Sequence, residues 1–205
     1  MSTAVFYNDY RDLQVQSFVL PGVLDISNAA SATIRGVEAE GAATTWRGLQ
    51  FAGTVSWLDV TYDRYLAVAP GNVTGDAAGK HLNNAPAWSG SGSVGYELAI
   101  GGRGTAAVRG DVSWQSRVFF TPFNDAIETQ RPYGLVHLRA GFESRNRRWE
   151  LAVYARNLLN REYITGTATN ATLPAIIGRT IGSIGLTRFA GGGSSILVLV
   201  SAAPI

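Results

Sequence analysis

The chain has 205 residues and no cysteine, which allows one or two ordinary domains and excludes a disulfide framework or a thiolate metal site. Its net charge is only +2, and charged residues make up 16% of it, so a nucleic-acid-binding protein with a concentrated basic face is not expected. No apolar run approaches the ~18 residues that a transmembrane helix needs.

The first strand candidates lie at 3–17, 32–45 and 49–60. In the last, apolar and polar residues alternate, with Leu49, Phe51, Val55 and Trp57 on one side and Gln50, Thr54 and Ser56 on the other. A period of two predicts a strand with two unlike faces. The contrast is weaker in 34–43, where Glu38 and Glu40 oppose Val37 and Ala39. The two glutamates could be catalytic carboxylates, but nothing else converges on them, and a polar wall is the better interpretation.

Residues 88–100 and 104–120 alternate more regularly. In the second segment one parity is polar and the other is mostly apolar, and only Ser116 breaks the pattern. The polar set is Thr105, Arg109, Asp111, Ser113, Gln115 and Arg117, and the other set is Ala106, Val108, Gly110, Val112, Trp114, Val118 and Phe120. A helix would sort residues with a period of 3.6 instead, and the usual strand of a soluble domain has only ~5–6 residues.

Three further candidates, 133–144, 148–158 and 179–189, complete about eight strands. The first places His137, Arg139 and Glu143 opposite Val136, Leu138, Ala140 and Phe142. The second also fits an amphipathic helix, because Leu151, Tyr154, Ala155, Leu158 and Leu159 fall at helical spacing. The alternation of its neighbours favours a strand that leaves into a loop at "RNLLNREYITG".

The connections alternate in length. Arg47–Gly48, Gly101–Arg103 and Arg145–Arg147 are tight turns, whereas the links near 18–31, 61–87, 121–132 and 159–178 are long and polar. Compact soluble domains mostly use short loops throughout. Short turns at one end and long loops at the other are typical of outer-membrane barrels.

Aromatic residues gather near the strand ends, as in the girdles at the two membrane interfaces. Near the short turns lie Trp46, Phe51, Tyr96, Phe142, Trp149 and Phe189; near the long loops lie Trp57, Tyr62, Tyr65, Phe119, Phe120, Phe123, Tyr133 and Tyr163. We therefore expect an all-β fold of antiparallel transmembrane β-barrel strands, with short periplasmic turns and long extracellular loops. Two alternatives stay open: a self-contained small outer-membrane barrel or pore, and a soluble β-sandwich that binds sugars or proteins.

Four stretches carry a family resemblance. "SATIRGVEAEGA" (31–42), "LNNAPAWSGSGSVGYEL" (82–98), "WELAVYARNLLNREYITG" (149–166) and "GRTIGSIGLTRF" (178–189) resemble, in order and spacing, barrel segments of TonB-dependent outer-membrane receptors. The resemblance runs from about residue 3 to Phe189, which matches the aromatic residue that closes the final strand. With about eight strands, the chain resembles the C-terminal portion of the family's barrel of ~22 strands with a plugged lumen.

Membership would imply a Gram-negative outer-membrane location and active uptake of a scarce nutrient, most often a ferric siderophore but also cobalamin or saccharides. The implied partners are outer-membrane lipid, a plug domain, the remaining barrel strands, the TonB complex through the N-terminal part of the receptor, and the small-molecule ligand. We expect two regions: a partial barrel at 1–189 and an atypical tail at 190–205. The tail is a Gly/Ser linker followed by an apolar run, Ile196 to Val200, which is either read-through sequence or an extra strand.

The candidate site residues form two sets. Lumen-facing candidates, by parity, are Arg109, Asp111, Gln115, Arg117, His137, Arg139, Glu143 and Arg156. Ligand-contact candidates in the loops are Tyr62, Tyr65, Phe119, Phe123 and Tyr133, for which packing in the girdle is the plainer interpretation. The mildly cationic wall would suit an anionic ligand or ion pairs with the plug. No catalytic constellation and no metal-ligand spacing accompany His81 or His137, so we expect neither an enzyme nor a cofactor.

Overall fold

The structure is a computed structural model that describes the backbone at residues 1–20, 23–69, 73–169, 174–176, 179–180, 183–190 and 194–201. Side chains are described at 1–14, 30–67 and 74–167. All regular structure in these residues is β-strand. Within the same ranges no helix is long and apolar enough to cross a membrane.

Nine strands form one antiparallel sheet, and their order in the sheet follows the chain. They are β1 (Ser2–Leu20), β2 (Val23–Thr44), β3 (Leu49–Arg64), β6 (Trp88–Ile100), β7 (Gly104–Gln115), β10 (Tyr133–Ser144), β11 (Trp149–Arg156), β16 (Ser183–Ala190) and β17 (Ser194–Ser201). The prediction of antiparallel β-strands is confirmed. Each described strand pairs with its neighbour, and β1 and β17 are the two edges, so the sheet is a partial barrel and not a pair of packed sheets.

Eight short strands pair in twos outside the main sheet, all at its long-loop end. They are β4 (Leu66–Ala69) with β5 (Val73–Asp76), β8 (Val118–Phe119) with β9 (Thr129–Gln130), β12 (Tyr163–Ile164) with β15 (Arg179–Thr180), and β13 (Thr167–Thr169) with β14 (Pro174–Ile176). At the opposite end, the connections that the structure describes are tight turns. Gly48, Gly101, Gly102 and Arg147 adopt positive φ there, because such turns need left-handed backbone.

Several predicted boundaries are wrong. The strand expected at 49–60 continues to Arg64, inside the link expected at 61–87. The link expected at 18–31 is mostly paired strand, because β1 continues to Leu20 and β2 already begins at Val23. The strand expected at 104–120 ends at Gln115, and β8 belongs to a separate ribbon. Ser116 makes the break: its N–H donates to the Trp88 carbonyl over 2.8 Å, and its Oγ accepts from the Trp88 N–H over 3.0 Å. Ser116 is the residue that interrupts the alternation in the sequence.

The two faces of the main sheet differ as the alternation predicts. On β7, Val108, Val112 and Trp114 are each about half exposed on one face, and register pairs Val112 with Val136 and Tyr96 with Val108. This is the apolar face. The other is the polar face, where Thr54 Oγ1 and Ser91 Oγ hydrogen-bond over 2.8 Å. The segment 149–156 is the strand β11, so its helical spacing is incidental.

The main cluster of fully buried apolar side chains lies at the long-loop end of the sheet. It comprises Ala30, Ala32, Tyr62, Tyr65, Ala67 and Ala77, with Leu13, Leu82 and Phe123 packed against it. We call these nine residues the loop-end core. It joins β1, β2 and β3 to the β4–β5 hairpin and to the 116–132 loop, so that end of the sheet is a packed unit.

Candidate functional site: the polar wall and the loop end

The polar face carries a trough of about 660 Å³. Six strands contribute to it, from β1 to β10. Its polar lining includes Ser2, Glu40, Thr54, Ser91, Ser93, Arg109, Asp111, Ser113 and His137. Small residues dominate the floor, because the strands carry glycine or serine where they cross it. The trough is therefore a shallow polar surface with its charges concentrated on β7 and β10.

Four of the predicted lumen-facing residues form ion pairs on this wall. Arg109 binds Asp111 over 2.8 Å on β7, Arg139 binds Glu150 over 3.1 Å between β10 and β11, and Glu143 binds Arg147 over 3.2 Å. The register sets Arg109 opposite Arg139 and Glu143 opposite Glu150. Each like-charged pair is thus compensated by a neighbouring opposite charge, although such exposed pairs contribute little stability.

His137 lies opposite Asp111 in the register, but its side chain hydrogen-bonds to the backbone just beyond the end of β11. Its Nδ1 accepts a hydrogen bond from the Asn157 N–H over 3.1 Å, which requires an unprotonated Nδ1. Asn157 is 4% exposed. Its side chain donates to the Arg161 carbonyl and accepts from the Arg161 N–H, each over 2.8 Å. His137 and Asn157 therefore fix the turn by which the chain leaves β11.

The other predicted wall residues occupy less defined positions. Gln115 ends β7 opposite Tyr133, and Arg117 is exposed just beyond the strand. The Arg156 guanidinium lies over the Tyr154 ring at 5.5 Å. Phe189 pairs with Glu150 in the register of β16, and its side chain lies outside the described residues. Seven of the eight lumen-facing candidates thus share the parity of the polar face, and Arg117 lies just beyond the end of β7.

The loop candidates do not form one ligand surface. Tyr62 and Tyr65 are only 2% and 3% exposed, and their ring centroids are 4.9 Å apart within the loop-end core. The Tyr62 hydroxyl donates to Asn83 Oδ1 over 2.7 Å. Burial raises the pKa of Tyr62 to about 12, and the neighbouring Tyr65 adds to the effect. A ligand could reach these rings only by opening the core.

The remaining loop aromatics tie the loops to one another. Phe119 stacks on His81 with centroids 6.1 Å apart, and Tyr133 stacks on Tyr163 at 4.5 Å. Phe123 packs on Gly75, where a Cβ would come within 2.6 Å of its ring. Aromatic side chains thus link the long loops in sequence around the sheet end.

Polar residues that the sequence did not single out reinforce these links. Asn124 is bound to His81 through both its side-chain atoms: Oδ1 accepts from the His81 N–H over 2.8 Å and Nδ2 donates to the His81 carbonyl over 2.9 Å. Gln130 Oε1 accepts from the Ile164 N–H over 2.6 Å, and Glu128 contacts Thr167 at 3.4 Å. Burial raises the pKa of Glu128. The sequence signal for the Asn124 contacts was the richness of the loops in Asn. This residue type tolerates the positive φ that Asn124 adopts.

The polar face and the loop end offer groups that can bind a ligand. In the ranges that the structure describes, no group of three or more His, Asp or Glu side chains could hold a metal ion. The polar face offers hydroxyls, the His137 imidazole and exposed guanidiniums. These suit recognition of a polar surface or an anion.

Three solved structures share this fold. The ferric yersiniabactin uptake receptor FyuA from Yersinia pestis matches with a TM-score of 0.71 and 23% identity, over 91% of this chain and 26% of its own. The siderophore receptor PiuA from Acinetobacter baumannii matches with a TM-score of 0.63 and 15% identity, over 91% of this chain and 25% of its own. BauA, the ferric preacinetobactin receptor from Acinetobacter baumannii, matches with a TM-score of 0.56 and 14% identity, over 91% of this chain and 26% of its own. The chain thus spans about a quarter of each structure.

At these identities the three structures establish the fold alone, and no curated protein sequence matches the chain. A family model does match. The model described as "TonB dependent receptor-like, beta-barrel" covers residues 1–158, which is more than half of the sequence and includes the strands from β1 to β11. The chain therefore belongs to the TonB-dependent receptor-like β-barrel family.

Proposed function

We propose that this chain is the C-terminal portion of the barrel of a TonB-dependent receptor in the outer membrane of a Gram-negative bacterium. Residues 1–189 supply barrel wall and residues 190–205 are an added tail. The chain takes part in uptake only within a complete receptor, with the plug, the remaining strands and the TonB complex as its partners. The observation that carries this proposal is the continuous apolar face, which a protein in water would leave exposed.

The proposed lipid contact has an energetic test at one pair of neighbouring residues. Val112 is about half exposed in the middle of the apolar face, and Ser113 is on the polar face beside it. An arginine at the bilayer midplane costs ~2–4 kcal/mol. Val112→Arg should therefore block assembly into outer membranes, whereas the matched Ser113→Arg should assemble normally. Equal assembly of both variants, measured by membrane fractionation, would remove the lipid-facing assignment.

We further propose that the transported nutrient is a ferric siderophore. Two observations support it: the three similar structures are siderophore receptors by name, and the polar wall carries exposed arginines that suit an anionic ligand. Arg109, Arg139 and Arg156 are the wall candidates; Phe119, Phe123 and Tyr133 are the loop candidates. Tyr62 and Tyr65 support the loops instead.

The nutrient is tested in a receptor completed with a plug and the missing strands. Cells whose uptake depends on this completed receptor should accumulate radioactive iron supplied as a ferric catecholate or a ferric hydroxamate. Labelled cobalamin and a labelled oligosaccharide serve as competing probes. Uptake of either of these without uptake of iron would refute the proposal that the nutrient is a ferric siderophore, and would leave the proposed receptor function standing.

A further inference from the structure

The first six strands of the main sheet fall into two length classes, and β11, β16 and β17 have only 8 residues each. β6, β7 and β10 have 13, 12 and 12 residues, close to the ~9–11 residues that cross a bilayer at a tilt. β1, β2 and β3 have 19, 22 and 16 residues. The extra length is at the long-loop end, because a tight turn joins β2 and β3 at the opposite end and β1 begins there opposite Glu40. Three strands therefore extend well past their neighbours.

The apolar face changes character along this extension. On β2 and β3 it carries Val37, Val55 and Trp57, and the last apolar pair toward the long loops is Val37 opposite Trp57. The next pair on the same face is Arg35 and Asp59, whose guanidinium and carboxylate meet at 2.7 and 2.9 Å. Beyond it, Thr33 Oγ1 donates to Asp63 at 3.0–3.1 Å. One face of one strand pair thus turns from apolar to charged within two residues.

The polar face changes in the opposite sense at the same level. Below it, Glu38 and Ser56 hydrogen-bond over 3.4 Å. Above it, Ala32, Val60 and Tyr62 are buried in or beside the loop-end core. On β2 and β3 the polarity of the two faces therefore reverses above this level, with buried apolar side chains on one face and charged or polar side chains on the other, as in a protein in water.

A third feature marks the same level. β6 begins at Trp88, directly opposite Trp57, and these two rings lie 6.4 Å apart. β6 is the strand next to β3, so the sheet narrows where its polarity reverses. Tryptophan is enriched at membrane–water interfaces. The change in strand length, the reversal of side-chain polarity and the tryptophan pair therefore all lie at the same level of the sheet.

We infer that the lipid boundary crosses this chain between Val37 and Arg35 on β2 and between Trp57 and Asp59 on β3. This rests on the proposed outer-membrane function. Lipid acyl chains cover the apolar face up to that line. Above it, the ends of β1, β2 and β3, the β4–β5 hairpin and the loop-end core form an extramembrane unit that walls one side of the receptor mouth.

The width of the apolar face fits this boundary. On β3 it runs from Leu49 to Trp57, which is about 27 Å along the strand at ~3.4 Å per residue. At a tilt of ~40° this gives about 21 Å of thickness, close to the ~25 Å apolar band of outer-membrane barrels. The distance from Trp57 up to Asp63 is about the thickness of one lipid leaflet. A label at Asp63 is therefore well separated from the acyl chains below Trp57.

The absence of cysteine makes single-cysteine labelling direct. Val55→Cys lies on the apolar face below the line, Asp63→Cys lies on the same face above it, and Thr54→Cys is the control on the polar face beside Val55. Each labelled chain is built into a receptor completed with a cysteine-free plug and the missing strands, and this receptor is folded into phosphatidylcholine vesicles that contain acyl-chain nitroxide lipid. The label at 55 should lose half or more of its fluorescence, while the labels at 63 and 54 stay unquenched.

The outcomes separate the boundary from the function on which it rests. Quenching at both 55 and 63, with none at 54, would keep the membrane assignment and overturn the boundary. Absence of quenching at 55 would overturn the outer-membrane proposal itself. Equal quenching at 54 and 55 would show that the two faces do not have separate environments, and would overturn both.

Discussion

Gly36 shows how one residue permits the change of polarity along the sheet. It belongs to the "GVEAEG" segment, lies opposite Phe6 on β1 and Leu58 on β3, and is buried. An added Cβ would come within 2.7 Å of the Phe6 ring and 2.6 Å of the Trp57 carbonyl oxygen. The Phe6 ring needs that space, because it covers the polar face where the charged wall ends and the apolar core begins.

Gly36→Ala should therefore destabilise the folded chain by about 1–3 kcal/mol, the usual cost of overpacking. Gly41→Ala is the matched control on the same strand, since a Cβ there would have no atom within 4 Å. The midpoints of urea unfolding in detergent, compared at equal slope, measure the difference. A Gly36→Ala midpoint equal to that of Gly41→Ala would mean that Phe6 does not pack as described.

At the scale of elements, the tyrosine pair at the end of β3 should make the loop-end core sensitive to alkali. Burial raises the pKa of Tyr62 to about 12 from its ordinary value of 10.0, and burial also raises that of Tyr65. A raised pKa in the folded state means that the neutral form is favoured by folding. The resulting stability is complete below pH 10 and is lost as the pH rises from 10 to about 12.

We expect the phenolate absorbance of the buried pair Tyr62 and Tyr65 to develop above pH 10, later than in the unfolded chain, together with loss of the loop contacts. Tyr62→Phe should remove the later change at that position and leave Asn83 Oδ1 without its donor, at a cost of ~1–3 kcal/mol. Tyr7→Phe, at an exposed tyrosine, is the control. If every tyrosine in the folded chain titrated near pH 10, the burial would be refuted.

The strands were predictable from the sequence where the two faces differ, and less so at their ends. Period two identified β3, β6, β7, β10 and β11 because a half-buried face selects residue type at every second position. Tyr62 was predicted in the long link at 61–87, whereas β3 continues to Arg64 and the Tyr62 side chain is buried in the loop-end core. Parity fixes the face of a residue, whereas its surroundings depend on how far along the strand it lies. The contacts of Asn124 and Asn157 depend on loops that meet only in three dimensions.

At the scale of the whole molecule, the sheet is open because of strand direction as well as strand number. All neighbouring pairs in the nine-stranded sheet are antiparallel, so β1 and β17 run the same way. Closing β1 on β17 would need a parallel seam, whereas bacterial single-chain barrels use an even number of antiparallel strands. β17, the paired form of the apolar tail, occupies the edge of β16 that an antiparallel partner would need.

We therefore expect the 205-residue chain, folded alone in detergent, to migrate identically on gels with and without boiling, because β1 keeps an unpaired edge that costs several kcal/mol per group in a nonpolar medium. A complete receptor that contains the same segment should show a faster unboiled band. The decisive control is the chain ended after Ala190, in which β16 and β1 run antiparallel. A heat-sensitive band from that shorter chain would mean that eight strands close by themselves and that a small barrel, not a larger receptor, is the natural assembly. The same band in the 205-residue chain would mean that β17 leaves β16 on folding, since the sheet cannot otherwise close without a parallel seam.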